Sequence, residues 1–136
     1  MQLVTKILET ESSMDRIALI TGANRGIGLE IGKQLLSRGF SVIFTARNMH
    51  VGRPIVNELR EEYKTAWFHQ LDVTYEDSIR DMVEYVIEEH GRLDVLINIA
   101  GILLDENQST SEVDIEDVRK TMETNVYGPM LVTRAL

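Results

Sequence analysis

The sequence predicts a doubly wound α/β domain built on a parallel sheet, and three observations carry that reading. Four short apolar runs, at residues 17–21, 41–46, 66–71 and 93–99, are each followed by a stretch whose apolar residues recur at helical spacing. The connections between runs and helices are a few residues long, so each pair of strands is joined by one crossover helix, which makes the strands parallel. The runs are apolar throughout instead of alternating, as strands covered on both faces must be.

The elements follow in order. Residues 17–21 (IALIT) form a first strand that ends in a glycine-rich turn. Ile27, Ile31 and Leu35 then recur every four residues and predict a helix with that stripe inward, stopped by Gly39. Residues 41–46 (SVIFTA) give the second strand. Val51, Ile55, Leu59 and Tyr63 mark the second helix, with Pro54 expected in its first turn, where a missing N–H costs least. Residues 66–71 give the third strand. Thr74 with Asp77 resembles a capping box, and Ile79, Met82, Val83, Val86 and Ile87 form the third helix up to Gly91. The fourth strand, 93–99, is followed by a polar stretch at 105–111. A last helix starts near Asp114, with Ile115, Val118, Met122, Val126 and Pro129 as its expected inward face.

Composition sets the outer bounds. The 136 residues suit one domain, and 43% hydrophobic with 26% charged residues is an ordinary globular balance. Fourteen Lys and Arg against 22 Asp and Glu leave a net charge of −8, which argues against nucleic acid as a partner. Absence of cysteine removes thiolate chemistry and fits a reducing, cytoplasmic setting. No apolar run reaches the roughly 20 residues of a membrane helix. His50, His69 and His90 share no metal-ligand spacing, so no metal is expected. Residues 1–14 stand apart as an N-terminal extension, either a short amphipathic helix through Leu3, Val4, Ile7 and Leu8 or a loose lead, and Met14 is itself a candidate start. Residues 15–136 form the domain.

The chemistry concentrates in one turn. Thr21-Gly22-Ala23-Asn24-Arg25-Gly26-Ile27-Gly28 joins the first strand to the first helix. Glycines there let a diphosphate lie against the helix N-terminus, whose free N–H groups and dipole favour anions. The alternative is glycine used only for a tight turn and close packing. A triphosphate-cleaving loop is excluded, because Gly32-Lys33 is followed by Gln34 and lies inside the helix.

With this turn, Asp72-Val73 after the third strand, Asn98-Ile99-Ala100-Gly101 after the fourth and Asn125 in the last helix, the sequence resembles the short-chain dehydrogenase/reductase family over residues 16–136. The wording of the turn and of residues 69–74 is most similar to carbonyl-reductase-like members. The resemblance implies a Rossmann-like sheet, a dinucleotide cofactor and a small carbonyl or alcohol substrate. Gly22, Asn24, Arg25, Gly26, Ile27, Gly28, Arg47, Asp72, Val73, Asn98, Ala100 and Gly101 are the implied cofactor-binding residues. Ile99 departs from the family's second Asn and is given no polar role.

The choice of dinucleotide is readable from the residues. Proteins that bind NAD place an acidic residue at the end of the second strand, on the ribose 2′-hydroxyl. Here residues 44–48 read FTARN, with no carboxylate. Arg47 and Arg25 offer guanidinium groups suited to a phosphate dianion. Each alone is an ordinary surface charge; together they favour NADP(H) over NAD(H), in agreement with the resemblance. Asp72 has two readings, a hydrogen-bond acceptor for adenine by resemblance or a cap for the third helix.

Asn125 is the one candidate for catalysis. Pro129, four residues on, has no N–H for the Asn125 carbonyl, so a break in the helix and an available carbonyl are expected. The resemblance gives that carbonyl a water in a proton relay; a structural Asn is the other reading. The family's Ser, Tyr and Lys, with Lys four after Tyr, find no match. Trp67, Ile79, Glu89 and Leu131 follow the four tyrosines at that distance. The chain therefore reads as the cofactor half of an NADP(H)-dependent oxidoreductase, inactive alone, or as a non-catalytic NADP(H)-binding module. An uncovered fourth strand and last helix suggest self-association or a homo-oligomer.

Overall fold

Successive side chains of a strand point to opposite faces, so an uninterrupted apolar strand needs cover on both. The computed structural model describes residues 16–104 and 109–136 and shows how that cover is supplied. Strands β1 (Ile17–Thr21), β2 (Ser41–Ala46), β3 (Ala66–Gln70) and β4 (Val95–Asn98) form one sheet in the order β3-β2-β1-β4. All three pairings are parallel, with Leu19 of β1 opposite Ile43 on one side and Leu96 on the other. The helices are α1 (Gly26–Ser37), α2 (Met49–Glu62), α3 (Glu76–Glu89), α4 (Ile115–Met122) and α5 (Gly128–Ala135), the last two joined by a π-turn at Glu123–Tyr127. The N-terminal extension with residue 15, and residues 105–108 of the polar stretch, lie outside the described residues.

Two apolar layers result. On one face Ile20, Val42 and Phe44 pack with Leu36 of α1 and Val56 of α2. On the other, Ile17, Leu19 and Ile43 meet Ile79, Met82 and Val86 of α3 and Val132 of α5. Among the described residues, no helix is long and apolar enough to cross a membrane.

The packing faces differ from the expected stripes in three places. On α1 the buried residues are Gly28, Gly32 and Leu36, whereas Ile27 is 71% exposed. A Cβ on Gly32 would stand 2.1 Å from the Phe44 ring, so the helix meets the sheet through glycine, and the larger aliphatics flank the contact. Gly52 does the same on α2 against Phe68, at 2.3 Å. That helix starts at Met49, so Pro54 lies inside it and not in its first turn. In the last helical segment, Ile115, Val118, Met122 and Val126 are exposed, and Thr124, Gly128 and Val132 face inward. The π-turn adds one residue to the spiral and rotates the following helix by about 100°. Gly128 then sits so close to Val73 that a Cβ would approach Val73 Cγ2 to 2.6 Å.

An aromatic group closes the β3 edge. The His69 and Tyr85 rings lie 4.6 Å apart, and His90 meets Trp67 and Tyr85 edge-on, each at 5.5 Å. The Arg60 guanidinium rests 4.7 Å above Trp67. His90 Nε2 is buried without a hydrogen-bond partner. Burial lowers the pKa of both histidines, against the opposing pull of the Gln70 carbonyl and Asp81 on His69 and of Glu89 on His90. The folded chain thus binds fewer protons here than the unfolded chain, and stability falls as pH drops below the ordinary imidazole value of about 6.5. The unfolding midpoint is expected to decline between about pH 7 and pH 5.5, and His90→Phe to flatten part of that slope. Thermal melts across this range test it; an unchanged slope in His90→Phe contradicts the assignment.

Candidate functional site: the cleft at the strand carboxyl ends

The chain moves outward from β1 through β2 to β3, then crosses back to place β4 on the far side of β1. At such a reversal the loops after adjacent strands diverge and leave a crevice at the strand carboxyl ends. A cleft of ≈ 270 Å³ lies there. The turn after β1 contributes Gly22, Asn24, Arg25, Gly26 and Ile27. Ala46 and Arg47 enter after β2, Leu71 and Val73 after β3, and residues 99–102 after β4.

Two contacts between neighbouring strand ends fix its shape. The Thr21 hydroxyl, buried at the end of β1, accepts hydrogen bonds from the amides of Ile99 (3.0 Å) and Ala100 (3.1 Å). Gly22 follows at φ +62°, and a Cβ there would stand 2.7 Å from Ala100 Cα. Backbone therefore meets backbone, and only glycine fits both the angle and the space. Gly28 repeats the close approach inside the turn, since its Cβ would lie 2.9 Å from the Gly22 carbonyl oxygen. Gly26, at φ +56°, has nothing within 4 Å of that position and leaves its side of the turn open.

Helix α1 begins at this turn with neither a capping side chain nor an acidic residue in its first turn. By contrast, Asn48 caps α2, Asp114 caps α4, and Glu76 and Asp77 occupy the first turn of α3. The first amides of a helix have no partner within it and carry the positive end of the dipole. In α1 no side chain among the described residues caps them. Arg25 and Arg47 are exposed beside the cleft, and neither pairs with a carboxylate among the described residues. The cleft therefore combines an uncapped helix end with two available guanidinium groups and no opposing acid along its walls. It is suited to a diphosphate and a further phosphate.

The remaining candidate residues fall beside the cleft. Asp72 Oδ1 accepts from the Thr74 amide (2.9 Å) and hydroxyl (2.6 Å), and the Asp72 amide donates to Ser78 Oγ (2.9 Å). Thr74 is thus committed to Asp72, and α3 starts at Glu76 without a side-chain cap, so the capping box is not formed. Asp72 itself lines an adjoining concavity with Arg47, Asn48, Met49, His50 and Gln70. Asn98 donates to Thr133 Oγ1 (3.2 Å), tying β4 to α5. Asn125 is exposed, not inward, and forms a reciprocal pair with Ile102: Nδ2 donates to the Ile102 carbonyl and Oδ1 accepts from the Ile102 amide, both at 2.8 Å. The expected break at Pro129 takes the form of the π-turn, which contains Asn125. Ile99 lines the cleft and packs into the α1 face of the core, an apolar role that its departure from Asn allows.

Sequence reasoning did not single out Ile102 or Thr124, which also line the cleft. Ile102 gives no signal of its own, because its place is set by the distant Asn125. Among the described residues, no group of three or more acidic or His side chains is placed to hold a metal ion.

A parallel doubly wound sheet whose switch point carries an uncapped glycine turn is the architecture of a Rossmann-like nucleotide-binding domain. Within that class the chain belongs to the short chain dehydrogenase family, whose model matches residues 16–136. It is 40% identical over 127 residues to carbonyl reductase (NADPH) 1 of Mus musculus, a match that covers 92% of this chain and 45% of that one. Similarity to carbonyl reductase (NADPH) 3 of Homo sapiens is 40% over 119 residues, covering 86% and 42%. Among solved structures, an actinorhodin polyketide ketoreductase variant with NADPH superposes with a TM-score of 0.82 at 36% identity, over 88% of this chain and 45% of that chain. The chain spans under half the length of these relatives.

Asn125→Ala removes both bonds to Ile102 at once. Loss of about 1 kcal/mol of stability is expected, with faster amide hydrogen exchange at Ile102 above the general increase. Exchange at Ile102 that rises no more than elsewhere contradicts a clamping role.

Proposed function

We propose that this chain provides the NADP(H)-binding part of an oxidoreductase acting on a small carbonyl or alcohol. The observation that carries the proposal is the pair Arg25 and Arg47 beside the cleft, neither paired with a carboxylate among the described residues, with no carboxylate in residues 44–48. The names of the NADPH carbonyl reductases that the chain is similar to support it.

The residues present fit this cofactor. Gly26 leaves the turn open, and the unengaged first amides of α1 would receive the diphosphate. Arg25 and Arg47 would hold the 2′-phosphate, Asp72 and Val73 the adenine end, and Asn98, Ala100 and Gly101 the wall after β4. When bound, NADP(H) supplies or accepts a hydride. The chain's part is to position it and to exclude a 2′-hydroxyl competitor. Asn125 would carry a water of a proton relay on its carbonyl, which Pro129 cannot engage, while its side chain fixes Ile102 at the cleft rim.

Self-association belongs to the same proposal. The β4 edge and exposed Ile115, Met122 and Met130 offer apolar surface to a second copy.

A charge-assisted hydrogen bond contributes about 1.5–3 kcal/mol, reduced by exposure and salt. NADP(H) is therefore expected to bind several-fold more tightly than NAD(H) at physiological ionic strength. Arg47→Ala should collapse that ratio, chiefly by weakening NADP(H), and Ala46→Asp should push it toward NAD(H) by repelling the phosphate. Calorimetric titration of each protein with both dinucleotides checks this. Equal affinities in the unmutated chain contradict the proposal.

A further inference from the structure

The concavity beside the cleft shares Arg47 with it, the one residue that lines both. Most polar groups in it are already engaged. Asn48 Oδ1 accepts from the His50 amide (2.9 Å), Gln70 Nε2 donates to the Arg47 carbonyl (2.8 Å), and Asp72 Oδ1 is held by Thr74. Two cationic or potentially cationic side chains remain without a partner among the described residues, the Arg47 guanidinium and the His50 imidazole. His50 is exposed on the first turn of α2, three residues from Arg47, so its ring is accessible from the same opening.

We propose that His50 is a specificity-determining residue of the cofactor site, a titratable ligand that joins Arg47 on the 2′-phosphate of NADP(H). The inference rests on the cofactor reading given above and deepens it. A phosphate monoester is a dianion with three terminal acceptor oxygens, each with more than one lone pair, so it can take an imidazole beside the guanidinium groups of Arg25 and Arg47. Imidazole is the side chain whose charge changes between about pH 5 and 8, so preference for the phosphorylated cofactor becomes a function of pH. The charged groups around His50 come from three elements. They are Arg47 before α2, Arg53 one turn along it and Asp72 after β3. The entering phosphate adds negative charge to this balance and tips it toward imidazolium. NADP+ binding near neutral pH then takes up protons at His50, and NAD+ binding does not.

Titration calorimetry at about pH 7 in two buffers of different ionisation enthalpy reads proton uptake directly, without any turnover. The unmutated chain, His50→Gln and His50→Arg are each titrated with NADP+ and NAD+. The phosphate's own titration, near pH 6, is common to all three proteins. The unmutated chain is expected to take up more protons per NADP+ than either variant, and to show no such difference with NAD+. Its NADP+/NAD+ preference should grow several-fold from about pH 8 to pH 6.5. In His50→Gln the preference should be weaker and nearly flat, and in His50→Arg strong and nearly flat. Equal proton uptake in the unmutated chain and His50→Gln overturns the role of His50 while leaving the cofactor reading intact. Lack of NADP+ preference in all three proteins at every pH overturns both.

Discussion

The meeting of two backbone segments, at Gly22 and Ala100, determines the rest of the site. A Cβ on Gly22 would stand 2.7 Å from Ala100 Cα, so the turn after β1 and the segment after β4 are as close as chains can pass. The Thr21 hydroxyl holds that closeness by accepting both the Ile99 and Ala100 amides. From it follow the position of the α1 N-terminus, the depth of the cleft and the line along which residues 99–102 leave the sheet. Asn125 secures the far end of that line through Ile102. One buried hydroxyl and one amide side chain thus organise a wall that has no regular secondary structure of its own.

Charge is distributed against the average of the chain. The protein carries a net charge of −8, yet the cleft walls hold two guanidinium groups, an uncapped helix end and no carboxylate. A local positive region in an acidic protein concentrates an anionic ligand at one place and repels it elsewhere. Leaving α1 without a capping side chain forgoes roughly 0.5–2 kcal/mol. Helices α2, α3 and α4 are capped or carry acids in their first turns, and α5 continues directly from the π-turn, so α1 is the helix that begins at a loop with neither.

Most of the fold was legible because its signals are local. Each strand was bounded to within two residues at either end, since an apolar run flanked by turn residues admits few alternatives. The glycine turn was legible for the same reason, because the φ values at Gly22 and Gly26 demand what the sequence shows. The helix faces were less so. Spacing at i and i+4 selects the aliphatic stripe, whereas α1 and α2 meet the sheet through Gly32 and Gly52, which hydrophobicity does not mark. In the last helical segment a π-turn shifts the phase of α5, which no periodic pattern encodes, whereas the apolar stripe of α4 before it is regular yet exposed, because its face is not packed on the sheet. Pro129 and the resemblance single out Asn125, but the partner of its side chain lies 23 residues away in sequence and only the folded chain reveals it.

The central claim is that the strand ends joined by Thr21, Gly22 and Ala100 form a single dinucleotide cleft. Hydrogen–deuterium exchange of the chain with and without NADP+ tests it most directly. The account predicts slowed exchange at residues 22–28, 47–50 and 99–102 together, with the outer faces of α3 and α5 unchanged. Protection confined to α5, or none at the glycine turn, would contradict it.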